Sequence, residues 1–177
     1  MKFTSVLASA CLFGIALSVD DSLYAPGPGV EPEFKAYLNE LYYQAEQPPS
    51  TTEFTDFFTP DGKLIVRGIV ATGAAEILAL KQRLLPTAGN KHWNHIQNAT
   101  TVDSESSTQK TYQVLGIIDT TYDGGNCSRA YYSSRFTVIK GAGGALDLSP
   151  RVKNLAAYDD FIIQPSVSPT DIPCEKV

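Results

Sequence analysis

The chain has 177 residues, enough for one domain with a real core. Its hydrophobic fraction of 43% and charged fraction of 19% exclude a disordered or fibrous chain. A formal charge of -5 offers no basic face, so neither nucleic acid nor anionic lipid is expected as a partner.

Residues 1–18 read as a secretory signal. Lys2 gives the positive start, "FTSVLASACLFGIAL" the short apolar stretch, and Ala16 and Ser18 the small residues a signal peptidase prefers. The competing reading is an apolar N-terminal helix of a cytosolic protein. Secretion with cleavage near Ser18 is the expectation, and no membrane association is expected once the signal is removed. Residues 19–32, with "YAPGPGVEPE", form an extended leader rich in proline and glycine.

In "EPEFKAYLNELYYQAEQ" the apolar residues Phe34, Tyr37, Leu38, Leu41 and Tyr42 recur at helical spacing. Pro32 stands at the start of this helix and Pro48-Pro49 stop it. "STTEFTDFF" predicts a second, short helix with Ser50 and Glu53 at the spacing of a capping box. "TPDGKLIVRG" is a turn leading into a strand. "GAAEILALKQRLLP" is a third helix ended by Pro86. Beyond Trp93 the pattern becomes strands: "HIQNATTVDSES", "KTYQVLGIIDTTYDG", "CSRAYYSSRFTVIKG" and "NLAAYDDFIIQPS", with "GGN" and "GAGG" as hairpin-like turns. Helices followed by a meander of long strands predict an α+β domain with an antiparallel sheet. Such a sheet, strongly curved around a long helix, encloses a cavity suited to a small molecule.

With Cys11 removed in the signal, the mature chain keeps Cys127 and Cys174, an even pair that an oxidising compartment favours as a disulfide. It would pin the tail, residues 167–177, and stabilise by roughly 4 kcal/mol on the chain-entropy model. A reactive thiol would leave the second cysteine unexplained. Asn98-Ala99-Thr100 and Asn126-Cys127-Ser128 are N-glycosylation acceptors.

"FTDFFTPDGKLIVRG", "AAEILALKQRLLP", "HWNHIQN" and the long strands together resemble the nuclear transport factor 2-like superfamily. More narrowly they resemble its SnoaL-like group over residues 33–166. "GGNCSRAYYSS" and "PTDIPC" look like marks of a secreted fungal branch. The resemblance implies a cone-shaped, curved antiparallel sheet wrapped around helices, with an apolar pocket and dimerisation through the outer sheet face. It leaves chemistry open, because members include isomerase-, cyclase- and dehydratase-like enzymes as well as binding domains.

"HWNH" carries both histidines and the single tryptophan. A metal reading of His92 and His95 would need Asp56, Asp103 or Asp119 to complete it, and nothing in the spacing supplies that, so no metal or cofactor is expected. Proton transfer is the functional alternative: in the dehydratase-like relatives a histidine paired with an aspartate does this work. A hairpin turn near Ser106 or Ser107 would set His95 opposite residues 117–119, so a His95–Asp119 pair is geometrically open, and a one-residue slip would separate it. His95 as a packed corner of the fold is the competing reading. Tyr37, Phe58, Trp93 and Tyr132 are candidate ligand contacts, or simply core. On the third long strand Tyr132 and Ser134 are expected inward, Arg129 and Arg135 outward. In Asp159-Asp160 one carboxylate is expected inward, where burial would raise its pKa, unless both lie at a solvated edge. G-x-S-x-G, Walker and H-E-x-x-H motifs are absent, which removes the usual support for serine-hydrolase, nucleotide-binding and zinc-protease functions. The leading reading is a secreted domain binding a small apolar molecule. The alternative is a cofactor-free isomerase, cyclase or dehydratase using His95.

Overall fold

A computed structural model of the chain describes residues 19–164. The signal segment, the C-terminal tail and Cys174 lie outside the described residues. Helix α1 (Pro32–Glu46) takes Pro32 into its first turn, where a missing N–H costs nothing, and it ends just before Pro48. The whole predicted stripe, Phe34, Tyr37, Leu38, Leu41 and Tyr42, is fully buried. Each such side chain contributes about 1.5–3 kcal/mol on leaving water. The helix lies in the hollow of the sheet. Phe34 stacks on Tyr112 at 3.8 Å, and Tyr42 meets Tyr132, Phe136 and Tyr158 edge-on.

Helix α2 (Thr52–Thr55) begins later than the sequence predicts. Ser50 does not cap it: its hydroxyl is buried and donates to Gln44 Oε1 at 2.7 Å. Strand β2 (Phe58–Val66) turns through Arg67 and Gly68, at φ 51 and 80, into β3 (Ile69–Thr72), which sequence reading missed. Two consecutive positive φ values give the twist that suits a two-residue hairpin. Helix α3 (Gly73–Leu84) follows as predicted.

The long strands β4 (Lys91–Glu105), β5 (Gln109–Tyr122), β6 (Cys127–Ile139) and β7 (Leu155–Gln164) form the antiparallel body of the sheet. "GGN" is the tight turn expected. "GAGG" instead opens a long connection, residues 140–154, with a single 3-10 turn at Ala142–Gly144. The leader adds β1 (Ala25–Pro26) alongside β4. Strand order is β1-β4-β5-β6-β7-β2-β3, with β1–β4 and β2–β7 parallel, so the sheet is mixed rather than wholly antiparallel. The expected α+β cone, a curved sheet wrapped around helices, is the fold observed.

Gly116 shows how close the packing is. A Cβ there would lie 2.4 Å from the Tyr132 hydroxyl and 2.7 Å from the Ile96 carbonyl oxygen, so only glycine lets the phenol lie across β5. That hydroxyl is buried, and among the described residues no hydrogen bond of ordinary length and angle holds it, its polar neighbour being the Tyr42 hydroxyl. Tyr132→Phe is therefore expected to leave thermal stability unchanged or slightly raised, because it removes an unsatisfied group without opening a cavity. A Tm fall of several degrees in a melt would show instead that the hydroxyl is held by a bond.

Candidate functional site

Along β4 the inward residues are Lys91 and Trp93, both half-buried, and His95, only 5% exposed. They form one wall of a cavity of about 260 Å³. Across from them β5 presents Tyr122, Thr120 and Ile118, each the direct partner of one of those three. Leu64 and Val66 of β2, Tyr158 and Asp160 of β7, Phe54, and Lys81 and Leu84 of α3 complete the enclosure. The lining is mainly apolar, with a few charged groups, as in small-molecule sites.

His95 is fixed from behind. Its Nδ1 lies 2.9 Å from Glu46 Oε1, and its backbone N–H donates to the same oxygen at 2.6 Å. The His95 side chain is buried and that of Glu46 is 10% exposed. A carboxylate at this place accepts from Nδ1–H, and in the neutral ring that tautomer leaves the lone pair on Nε2. The ring stacks on Tyr42 at 4.3 Å and 5°. Glu46 is the last residue of α1, a position the helix dipole disfavours for an acid, and no basic residue accompanies it there.

Asp160 is the second ionisable group. Ser134 Oγ donates to its Oδ1 at 2.6 Å, leaving Oδ2 for another partner. Burial raises the carboxyl pKa, opposed by the Ser134 bond and the field of His95. Asp159, on the other face, follows the predicted alternation. The native protein thus holds the Asp160 proton more tightly than the unfolded chain does, and stability falls as pH rises through that window. Asp160→Asn keeps an acceptor for Ser134 and is expected to raise Tm at pH 7 by about 2–4 °C per ~1 kcal/mol relieved, the gain shrinking in acid. Melts of both proteins across pH test this, and an unchanged or lowered Tm at pH 7 contradicts it. Tyr158, buried beside Asp160, has its pKa raised well above the usual phenol range by burial and stays a donor. Lys81 is pulled down to about 8 by burial, while its Nζ donates to the Gln47 carbonyl at 2.6 Å.

The predicted His95–Asp119 pair does not form. His95 faces Ile118 and Asn94 faces Asp119, so Asp119 lies on the opposite face of the sheet. There it is held by Arg129 of β6 through two bonds of 2.7 and 2.8 Å. The turn pairs Glu105 with Lys110, a register that would bring His95 to Thr120, and irregularities at Gln97/Thr100 and Val102/Ser104 move it to Ile118, so Asp119 stays on the other face throughout. Of the proposed ligand contacts, Trp93 lines the cavity. Tyr37 is core, its hydroxyl donating to Asn154 Oδ1 at 3.2 Å, and Phe58 packs on Phe54. Tyr132 stands behind the wall, its ring 5.9 Å from that of His95. The alternation predicted for β6 holds, with Tyr132 and Ser134 buried and inward. His92 points away, Nε2 lying 2.9 Å from the exposed Asp123 carboxylate. Asn98 and Asn126 are both exposed. Sequence reading missed Glu46, Lys81 and Arg67. Only Glu46 carried a signal, the acid at the wrong end of its helix.

No protein-family model matches the sequence, and no curated protein matches it significantly. The fold is nevertheless shared with many solved structures. One is a candidate scytalone dehydratase of Novosphingobium aromaticivorans, 13% identical with a TM-score of 0.59 over 82% of this chain and 93% of that one. Another is ActVI-ORFA of Streptomyces coelicolor, 16% identical with a TM-score of 0.55 over 73% and 96%. A third, from Catenulispora acidiphila, was solved in complex with S-DNPA and is 15% identical with a TM-score of 0.56 over 75% and 95%. At these identities the likeness defines the class of fold, an α+β cone.

Proposed function

We propose that the cavity holds a small, largely apolar carbonyl compound and moves a proton on it without a cofactor. The observation that carries this is the Glu46–His95 pair, buried together with the His95 ring on the cavity wall. In this reading Nε2 of His95 removes a proton from the carbon next to the carbonyl, and the electron pair of that C–H bond moves to the carbonyl oxygen. The Tyr158 hydroxyl donates a hydrogen bond to that oxygen, and the Asp160 carboxyl does so when it carries its proton, a form that burial favours. Glu46 orients the imidazole and steadies the imidazolium that forms. Return of the proton to a different atom makes this an isomerisation; where the substrate carries a β-hydroxyl, the enolate's electron pair breaks that C–O bond and the hydroxyl leaves as water with the proton held by His95, a dehydration. The solved relatives named for dehydration or bound to a small molecule support this class of chemistry.

Around that site we propose a SnoaL-like protein of the secreted fungal branch, released near Ser18 and glycosylated at Asn98 and Asn126. A Cys127–Cys174 disulfide belongs to the same proposal, as does pairing of two copies. The test uses 2-tetralone, a small aromatic ketone, in heavy water with proton NMR. The secreted protein is expected to exchange the protons next to the carbonyl faster than buffer does. Exchange no faster than buffer contradicts the proposal.

A further inference from the structure

We infer that the occupant of the cavity enters with an anionic group outermost, so that its class is an aromatic or alicyclic carboxylate rather than a neutral molecule. This rests on the cavity being the ligand site and goes beyond it by naming the charge of the ligand and the residue that reads it. Charge is distributed unevenly over the lining. Arg67, Lys81 and Lys91 are cations, and Asp160 is the single acidic residue among the lining residues. The chain as a whole has the opposite balance, 14 basic against 19 acidic residues, so the cluster runs against composition.

Two of the three cations, Lys91 and Arg67, also lie on the solvent side of the chemistry, while Lys81 is buried. Lys91 is at the outer end of the series that runs through Trp93 to the enclosed His95. Arg67 sits in the exposed β2–β3 turn, its backbone N–H donating to the carbonyl of Asp160 at 3.1 Å. Structural duties account for part of the lysines. Lys81 binds the Gln47 carbonyl, and Lys91 binds that of Leu84 at 3.1 Å, the C-terminal ends of α1 and α3. Each ammonium keeps further N–H groups. Arg67 has no such duty: its guanidinium makes no hydrogen bond or ion pair with any described residue. Its planar fork suits a carboxylate bidentately.

The experiment titrates the secreted protein with 1-naphthoate and with 1-naphthalenemethanol, which share a ring system and differ in charge, by tryptophan fluorescence and calorimetry. Naphthoate is expected to bind about tenfold or more tightly, with the advantage reduced by added salt and mostly lost in Arg67→Gln. Because the Arg67 side chain is exposed and has no partner among the described residues, that variant is expected to fold as the parent does, and its circular dichroism checks this. Equal binding of the two probes overturns the anionic class and leaves the cavity as the ligand site. A naphthoate preference that Arg67→Gln leaves intact overturns the assignment of Arg67 as the reader. Binding of neither probe overturns both this inference and the cavity reading.

Discussion

His95→Gln is expected to lower the 2-tetralone exchange rate by about 10²–10⁴-fold, the range for loss of a positioned general base. Glutamine retains a donor for Glu46 Oε1, so the buried carboxylate is not orphaned and the fold is expected to persist. Glu46→Gln separates positioning from packing. It preserves shape but removes the charge that steadies the imidazolium, so a smaller loss, about tenfold, is expected in rate with ligand affinity little changed. Equal rates for the parent protein and His95→Gln would remove the histidine from the chemistry and return it to the role of a packed corner. Exchange assays run beside thermal melts distinguish these outcomes from simple unfolding.

The second large effect is on stability. Gly116→Ala is expected to cost about 1–3 kcal/mol, because the added Cβ meets the Tyr132 ring and the Ile96 carbonyl rather than open space. The ring would have to move against its neighbours, Tyr42 and His95, the second of which is the catalytic candidate. The substitution should therefore lower ligand affinity as well as stability. Adding Tyr132→Phe removes the nearest clashing atom, so the double variant should lose less than the two single effects summed. A Gly116→Ala protein as stable as the parent, by denaturant titration, would show that the phenol does not lie across β5.

The helices and long strands were legible because their signals are local. The α1 stripe repeats at helical spacing between prolines, and the β6 alternation of Tyr132 and Ser134 with the arginines reads at period two. What was not legible depends on long-range register. Carried back from Glu105–Lys110, the register alone would set His95 opposite Thr120, and two irregularities that leave no mark in composition move it to Ile118; in both registers Asp119 falls on the other face. Strand β3 was hidden because four residues give too short an alternation, and the Arg67-Gly68 turn is a weak signal. The inward carboxylate of the Asp159-Asp160 pair was anticipated by alternation. Glu46 reaches His95 across 49 positions of sequence, a distance no spacing rule spans. Its placement at a helix end unfavourable to acids breaks a local rule, and such breaks concentrate at functional sites.

The most direct test is the nitrogen-15 NMR of the His95 ring in the secreted protein, with and without 2-tetralone. The expected result is a hydrogen on Nδ1, a bare Nε2, and an Nε2 signal that moves on addition of the ketone while that of His92 stays still. A hydrogen on Nε2 in the free protein, or an Nε2 signal unmoved by saturating ketone, would contradict it.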